Sequence, residues 1–483
     1  MTSGDGRRFS FGLRFERWEW WWILGIVAAF GIVALWLLKA GGPFGHDESV
    51  YALRARDFHD GTHPGLYWLD IRAPGLPWLG QFAWLASATP PVLRFVVVGF
   101  GVLLVAATWL VGRHLFGRTA GLAAAAGIAT TPVILQSSTQ FWPDVPGAAL
   151  GLAALAVFLF ATGSERVSWW VVGVAPLAAA ATYVRYGAPI AIGAGLAVLV
   201  VWRWRSSWLR SPQMWVAGAA TAAAVAAILL IPRFTGGSTA PLDAIGGRTK
   251  DWFQGFVDYV RQAGDLIGNP AGVLLVVGVV VAIVLAVRGG LDRPTVIATG
   301  AVAVVTLVPI AVLLHGELRY LSPVWPWVWI LAGAGLVPLV EMVPGALAPA
   351  VAGAVAAALL VGAADDGGAV NEFNKDEFTQ VKQAALQIRA DAAGRECGVV
   401  TGFLPQMEWY SECTARGFPA SADELPGPAL RGDDAIYIVY VQQGKRQPGG
   451  QLERDLREQS EVLTVVEGRR EVEVLVWRDR AGE

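Results

Sequence analysis

Long apolar runs fill the first three quarters of the chain, and the last quarter is polar. A helix needs about 20 mainly apolar residues to cross a bilayer, and only helices and closed barrels satisfy every backbone polar group there. By that length rule the sequence predicts about eleven spanning helices, at residues 19–39, 93–111, 119–135, 145–161, 169–184, 188–202, 214–231, 271–287, 295–314, 321–339 and 345–363. The pattern predicts a polytopic all-α membrane domain over residues 1–364.

Two long segments between these runs, at about 40–92 and 232–269, predict large outer loops. Within the first, residues 74–88 are apolar but short and interrupted by proline. Such a segment favours a juxtamembrane or re-entrant helix over a full span. The second loop contains the amphipathic stretch DWFQGFVDYVRQ.

Clustered arginines indicate the orientation, because positively charged residues favour cytoplasmic loops. They precede the first run and lie between runs two and three, six and seven, and eight and nine: Arg7, Arg8, Arg14, Arg17, Arg113, Arg118, Arg203, Arg205, Arg210, Arg288 and Arg293. We therefore expect a cytoplasmic N-terminus in the plasma membrane and, with an odd number of helices, a tail outside the cytoplasm. A span at 74–88 would move the tail to the other side.

Residues 365–483 predict a small extracytoplasmic α/β domain, because their apolar segments are short and separated by polar residues. The predicted elements are a helix near Lys375–Ala390, strands at Gly398–Phe403 and Ala435–Val441, a helix at Gln451–Gln459, and strands at Glu461–Val466 and Val472–Trp477. Cys397 and Cys413 lie near its start. An outer compartment would allow these cysteines to pair, and two buried thiols are the alternative that the sequence leaves open.

The composition excludes several other classes. Only 16% of the residues are charged and 54% are hydrophobic, whereas a soluble domain carries about 25% charged residues. The formal net charge of −2 provides no basic field, so we expect no nucleic-acid partner. Two cysteines support neither a zinc framework nor a disulfide-dense fold.

An acidic cluster directly follows the first apolar run. His46, Asp47, Glu48 and Tyr51 stand at the predicted membrane surface, where unpaired carboxylates are costly and often functional. The helical pattern of ESVYALRARDF would place Val50, Leu53 and Phe58 against the bilayer. The alternative is a solvated acidic turn that ends the helix.

Ionisable residues also occupy four other predicted outer turns. They are Arg72 before residues 74–88, Asp144 before run four, Arg185 and Tyr186 between runs five and six, and Glu317, Arg319 and Tyr320 between runs nine and ten. A guanidinium suits phosphate binding, but an arginine can also anchor a helix at the interface, and an aspartate before a helix is often a cap. If the helices pack side by side, all five clusters converge on one cavity. Its carboxylates could act as general bases and its arginines could hold the phosphate of a lipid-borne donor.

These residues resemble the integral-membrane GT-C glycosyltransferases, in particular the branch with the protein O-mannosyltransferases and the bacterial aminoarabinose transferase of lipid A. The resemblance rests on HDESVYALRARDF, RAPGLPWL, GRHLFGR and QFWPDVPG, and on Arg319, Tyr320 and Pro323 of a late outer turn, over about residues 20–335. The family pattern is altered at Arg72, where relatives carry Lys-Pro-Pro.

The resemblance implies an inverting glycosyltransferase that moves a sugar from a polyprenyl-phosphate donor to an envelope glycan, lipid or protein. Catalysis would fall to Asp47 as the base, with Glu48 and Asp144, and substrate binding to His46, Tyr51, Arg72, Arg185, Tyr186, Glu317, Arg319 and Tyr320. The three carboxylates could gather a divalent cation, but we expect no obligate metal or other cofactor. A secondary transporter and a membrane-anchored binding module are the alternative functions.

Overall fold

The computed structural model describes residues 16–61, 72–87, 89–164, 166–234, 254–267, 270–313, 316–343, 348–421, 435–442, 447–469 and 471–477. The chain divides into two compact units. The first consists of Met1–Leu38, Gly65–Leu79 and Arg94–Gly367. The second consists of Lys39–Pro64, Gly80–Leu93 and Gly368–Glu483, so the tail shares its unit with two segments from the first predicted loop.

The described residues are mainly helical. In chain order the helices are α1 Arg17–Ala40, α2 His46–Asp60, α3 Gly75–Trp84, α4 Pro90–Phe116, α5 Arg118–Ala129, α6 Pro132–Ser138, α7 Asp144–Ala161, α8 Val174–Val184, α9 Ala188–Trp202, α10 Pro212–Phe234, α11 Gln254–Ile267, α12 Pro270–Arg288, α13 Arg293–Leu313, α14 Trp325–Glu341, α15 Ala348–Ala392, α16 Leu404–Ser411 and α17 Gly450–Glu458. Short 3₁₀ turns at Trp169–Gly173, Ser206–Arg210 and Leu318–Leu321 join some of them.

Six described helices are long and apolar enough to cross a membrane: α1, α4, α7, α10, α12 and α13. Helices α5 and α6 together form a seventh candidate span that is bent by 65°. Three shorter apolar helices cover Trp169–Val184, Ala188–Trp202 and Trp325–Glu341. The chain is thus a multi-pass membrane protein, and the number of eleven spans stays a prediction. Helix α3 has ten residues and is too short to span.

The bend between α5 and α6 has a local cause. The hydroxyls of Thr130 and Thr131 both donate to the Gly127 carbonyl, and Pro132 has no backbone N–H with which to continue the helix. The Trp329 indole then donates to the Thr131 hydroxyl at 2.8 Å. The single run predicted at 119–135 is therefore two helices, fixed at the break by a side chain from α14.

Glycines bring three helices of the first unit into backbone contact. A methyl group at Gly278 of α12 would lie 2.6 Å from the Ala332 carbonyl oxygen of α14, and one at Gly335 would overlap Gly278 itself. On the other side of α14, a methyl at Gly333 would lie 2.5 Å from the Ala120 carbonyl oxygen of α5. Such small-residue packing is a common way for membrane helices to associate. We call these contacts the glycine seam.

The second unit contains a five-stranded sheet with the strands β1 Cys397–Thr401, β2 Thr414–Arg416, β3 Ala435–Val441, β4 Ser460–Val466 and β5 Val472–Trp477. The strand order is β2-β1-β3-β5-β4. Strand β1 is parallel to β2 and β3, whereas β5 is antiparallel to β3 and β4. The central strands β1 and β3 are buried throughout. The sheet matches the predicted α/β tail.

The two cysteines form a disulfide, with their Cα atoms 4.9 Å apart. The bridge joins the start of β1 to the residue before β2, and helix α16 lies between them. This settles the question that the sequence left open in favour of pairing.

Candidate active site

The core of the candidate site in the first unit is an ion pair between Asp144 and Arg185. Asp144 begins α7 and is only 2% exposed, and Arg185 follows the last residue of α8. Gly147, one turn into α7, leaves room for the arginine, since a methyl group there would lie 3.1 Å from Arg185 Cβ. The aspartate thus faces a cation and does not act only as a helix cap.

Aromatic rings surround the arginines of this site. The Arg185 guanidinium carbon lies 5.1 Å from the Tyr320 ring centre, and that of Arg319 lies 4.3 Å from Trp142 and 5.3 Å from Tyr320. Glu317 forms an ion pair with Arg319, whose Nε lies 2.5 Å from a carboxylate oxygen. A guanidinium that stacks on a ring and pairs with a carboxylate has a fixed orientation. We call these residues, Trp142, Asp144, Arg185, Glu317, Arg319 and Tyr320, the aromatic end.

Helix α11 holds the turn that carries Glu317 and Arg319. Tyr259 donates to the Glu317 carbonyl at 3.3 Å, and Gln262 donates to the Gly316 carbonyl at 2.7 Å. The Gly316 N–H donates to Asp258 at 3.4 Å. Burial raises the pKa of the Tyr259 hydroxyl above its ordinary value, so that group stays a neutral donor.

The turn with Arg72 lies beside the Arg185 turn. A methyl group at Gly75, the first residue of α3, would lie 2.6 Å from the Tyr183 carbonyl oxygen in the last turn of α8. Arg72 precedes Gly75 by three residues. Tyr186, which is half-buried, follows the C-terminal end of α8. The structure therefore assigns seven of the predicted residues to the first unit: Arg72, Asp144, Arg185, Tyr186, Glu317, Arg319 and Tyr320.

The remaining four predicted residues lie on α2 in the second unit. His46 is exposed, Asp47 is half-buried and Tyr51 is buried. Glu48 is fully buried and accepts from the Gly45 N–H at 3.1 Å, which caps its own helix. That one cavity unites all five clusters stays a prediction, as do the catalytic assignments of these side chains.

The expected contact of α2 with the bilayer is wrong for two of its three residues. Val50 is 2% exposed and Leu53 is fully buried within the protein. Helix α2 packs against α16 of the tail, so its apolar face is covered by protein.

The opposite end of the first unit contains a different ionic cluster. Glu19 is fully buried and bonds to Arg118 at 2.6 Å and to Arg113 at 3.3 Å. Arg203 donates to the Leu159 carbonyl in the last turns of α7 and contacts the His114 ring at 3.0 Å. Helix α7 has 18 residues, so this cluster lies about 25 Å from Asp144. We call Glu19, Arg113, His114, Arg118 and Arg203 the basic end.

Four residues of the aromatic end and its support were not predicted: Trp142, Asp258, Tyr259 and Gln262. Trp142 stands two residues before Asp144, and the other three lie on the stretch that was recognised as amphipathic. Within the described ranges, no group of three or more histidine, cysteine, aspartate or glutamate side chains could hold a metal ion.

Comparison with known proteins matches residues 71–231 to the family of dolichyl-phosphate-mannose-protein mannosyltransferases. The fold is similar to that of ArnT from Cupriavidus metallidurans bound to undecaprenyl phosphate, with a TM-score of 0.66 and 17% identity over 94% of this chain and 98% of that one. It is also similar to the Archaeoglobus fulgidus oligosaccharyltransferase, with a TM-score of 0.56 and 14% identity over 87% of this chain and 69% of that one. No curated protein matches the sequence.

A complex of the archaeal enzyme AglB from Archaeoglobus fulgidus with an inhibitory peptide and a dolichol-phosphate gives a TM-score of 0.54 at 14% identity, over 88% of this chain and 70% of that one. The family match and the shared fold together confirm the resemblance to GT-C glycosyltransferases that the motifs indicated.

Proposed function

We propose that the chain transfers a sugar from a polyprenyl-phosphate donor to an envelope glycan, lipid or protein at the outer face of the membrane. The match at residues 71–231 is to a family named for a lipid-phosphate sugar donor. Two of the similar structures contain undecaprenyl phosphate and dolichol-phosphate. Both ligands are lipid phosphates, which is the part of the donor that arginines would recognise.

The observation that carries the proposal is the aromatic end. Arg185 and Arg319 stack on rings and pair with carboxylates that balance their charge. Such preorganised cations can accept a phosphate oxyanion without a large rearrangement. Arg72, whose turn adjoins that of Arg185, would add a third positive charge on the donor.

In the proposed reaction, Asp47 removes the proton from an acceptor hydroxyl. The hydroxyl oxygen forms a bond to the anomeric carbon as the bond from that carbon to the phosphate oxygen breaks, with inversion at the carbon. The polyprenyl phosphate leaves with the electron pair, and the arginines stabilise its negative charge. Asp144 and Glu317 orient Arg185 and Arg319, and Glu48 fixes the start of the helix that carries Asp47.

Two features support a reaction at the outer face. The arginines expected in the cytoplasm include Arg113, Arg118 and Arg203 of the basic end, which supports an aromatic end at the opposite membrane surface. The disulfide between Cys397 and Cys413 suits an oxidising compartment. We therefore propose a cytoplasmic N-terminus and an extracytoplasmic second unit.

A reconstituted transfer assay tests the proposal. Vesicles with the full chain, supplied with an envelope fraction as acceptor, should consume a labelled polyprenyl-phosphate sugar, move the label to the acceptor and release the free polyprenyl phosphate. Arg319→Ala should weaken donor binding at least tenfold, because it removes a charge-assisted phosphate contact worth about 1.5–3 kcal/mol. Arg205→Ala, which removes a hydrogen bond to the Ser164 carbonyl, is the matched control and should bind the donor normally. Uptake of a labelled solute without consumption of any lipid-linked sugar would instead indicate a transporter.

A further inference from the structure

We propose that the disulfide-bridged segment of the tail positions α2, the helix that carries Asp47, for catalysis. The proposal deepens the proposed function and rests on it. It assigns a task to the C-terminal module, whose sheet alone indicates none, and it names Trp409 and Tyr410 of α16 as positioning residues.

The first contact fixes the backbone just before α2. The Phe44 N–H donates to the Tyr410 hydroxyl at 2.8 Å, in a buried environment. Phe44 itself is fully buried, and only Gly45 separates it from the first residue of α2. A side chain 366 positions further along the chain thus holds the entry to the helix.

A row of aromatic rings extends from this entry to the other end of α2. The Trp409 ring lies 5.3 Å from Phe44 and 5.3 Å from Trp84, in edge-to-face geometry. Trp84 in turn stacks on His59, in the last turn of α2, at 5.9 Å. Each aromatic pair contributes about 0.5–1.5 kcal/mol beyond the burial of its apolar surface. Both ends of α2 are thus connected to Trp409, the entry through Phe44 and the last turn through Trp84.

A third contact lies along the middle of the helix pair. Arg56 of α2 lies 3.9 Å from Glu408 of α16, and Glu408 is 6% exposed. The Ala415 N–H also donates to this glutamate at 3.4 Å. Three consecutive residues, Glu408, Trp409 and Tyr410, therefore all face α2 or its immediate neighbours.

Helix α16 is itself firmly held. The disulfide closes the chain on both sides of it, and Met407 and Tyr410 belong to the buried core between the sheet and the end of α15. Lys382 of α15 lies 5.5 Å above the Tyr410 ring. A short helix of eight residues would not be rigid alone, but the bridge and this core make it a fixed support.

Positioning of a general base is a demanding task. A misplacement of about 1 Å can reduce a rate by about 100-fold even when it originates away from the chemistry. Helix α2 has 15 residues and carries Asp47 in its first turn, directly beyond Phe44. Loss of the Tyr410 contact should therefore act on the proton transfer and leave donor binding unchanged.

The test compares two tyrosine variants of the full chain in vesicles. Tyr410→Phe removes the hydroxyl that accepts from Phe44 and keeps the ring. Tyr437→Phe removes a hydroxyl from the same module that donates to Asp391 of α15 at 2.6 Å. We expect Tyr410→Phe to lower turnover between about 10- and 100-fold with an unchanged dissociation constant for the donor, and Tyr437→Phe to leave turnover unchanged.

A double-mutant cycle separates positioning from general damage. If Tyr410 acts through Asp47, the Tyr410→Phe change should have no further effect in an Asp47→Asn background. Additive losses, or equal turnover in Tyr410→Phe and Tyr437→Phe, would overturn the inference while the proposed function stands. A wild-type chain that transfers no lipid-linked sugar would overturn both.

A second measurement does not depend on the reaction. Amide hydrogen exchange of residues 44–60 should accelerate in Trp409→Leu and in wild-type protein treated with a reductant. Exchange in the glycine seam should not change in either case. Unaltered exchange of 44–60 in both samples would refute the support role of α16.

Discussion

The aromatic end and the basic end of the first unit both hold arginines beside a buried carboxylate, but they use them differently. At the basic end, Arg203 donates to the Leu159 carbonyl and lies 4.7 Å from the Trp202 ring centre, and Glu19 forms ion pairs with Arg113 and Arg118. Arg205, beside this end, donates to the Ser164 carbonyl. At the aromatic end, each arginine has a carboxylate on one side and a ring on its face. At the basic end, backbone carbonyls share in holding the arginines, whereas at the aromatic end each arginine has its own side-chain carboxylate.

The difference separates stability from ligand binding. Arginines that donate to the last carbonyls of helices complement the helix dipole and anchor the helix ends. Arg185 and Arg319, each oriented by a carboxylate and a ring, suit the binding of an oxyanion under the proposed function. Changes at the basic end should therefore cost stability, and changes at the aromatic end should cost activity.

Asp47 and Glu19, which lie in the sequence after the end and at the start of α1, should give the largest contrast between lost activity and lost stability. Asp47→Asn keeps the shape of the side chain and removes its basicity. General-base catalysis contributes typically 10²–10⁴-fold, so turnover should fall by that factor while donor binding stays largely intact. Single-turnover transfer and a separate donor-binding titration measure the two effects. Near-normal turnover would remove Asp47 from the role of base.

Glu19 is the second carboxylate, and its replacement should have the opposite result. Glu19→Gln leaves two arginines without their buried countercharge, which costs about 3–5 kcal/mol of stability. The transfer rate per folded molecule should not change. Glu16→Gln is the control, because Glu16 is half exposed and a surface ion pair contributes little to stability. Thermal unfolding in detergent gives the comparison, and a stable but inactive Glu19→Gln variant would contradict the division between the ends.

Glu408 of the second unit extends the comparison to a buried carboxylate whose countercharge, Arg56, lies 3.9 Å away. Burial raises its pKa to about 7, and the facing groups Arg56, Asp57 and Arg416 shift it less. Between about pH 4.5 and 7 the folded protein binds a proton that the unfolded chain releases, so this group makes stability fall as the pH rises through that range. Glu408→Gln should remove the dependence and be more stable than the wild type at pH 8 by up to about 3 kcal/mol. Melting temperatures of the wild type and Glu408→Gln at pH 5 and pH 8 test this prediction. An equal difference between the two proteins at both pH values would refute it.

Arg72 should show the smallest effect of the four. Arg72→Ala removes one charge-assisted contact with the donor phosphate, worth about 1.5–3 kcal/mol, and should weaken donor binding about 10- to 100-fold. Arg72→Lys keeps the charge but not the bidentate geometry. Its donor affinity should lie between those of the wild type and Arg72→Ala. Donor titration of the three proteins measures the series. Donor binding that is equal in all three would show that the turn before α3 has another task.

Apolar periodicity predicted most helices of the first unit, since a run such as residues 145–161 corresponds to one buried helix, α7. It failed where a tertiary contact decides. The bend at Thr130–Pro132 depends in part on the indole of Trp329, almost 200 residues away. Helix α15 continues through Ala348–Ala392 as one element, where the sequence predicted a span followed by a separate helix.

The sequence predicted only part of the candidate site, again because some of its contacts join distant segments of the chain. Charged residues against the apolar pattern, such as Asp144 and Arg185, are visible in the sequence because burial makes them costly. The support of these residues is not visible, because Tyr259 and Trp142 look like ordinary interface aromatics. The contact of Tyr410 with Phe44 joins segments that no periodicity relates.

The glycine seam constrains how the chain could be re-engineered for another sugar. Backbone atoms of α5, α12 and α14 touch directly through Gly278, Gly333 and Gly335, so no rotamer change can absorb an added methyl group there. Under the proposed function, variation for another sugar belongs in the turns of the aromatic end, which lie outside this seam. Variants randomised at those turns would keep the packing of the helices. Most variants with changes at the three glycines would lose it.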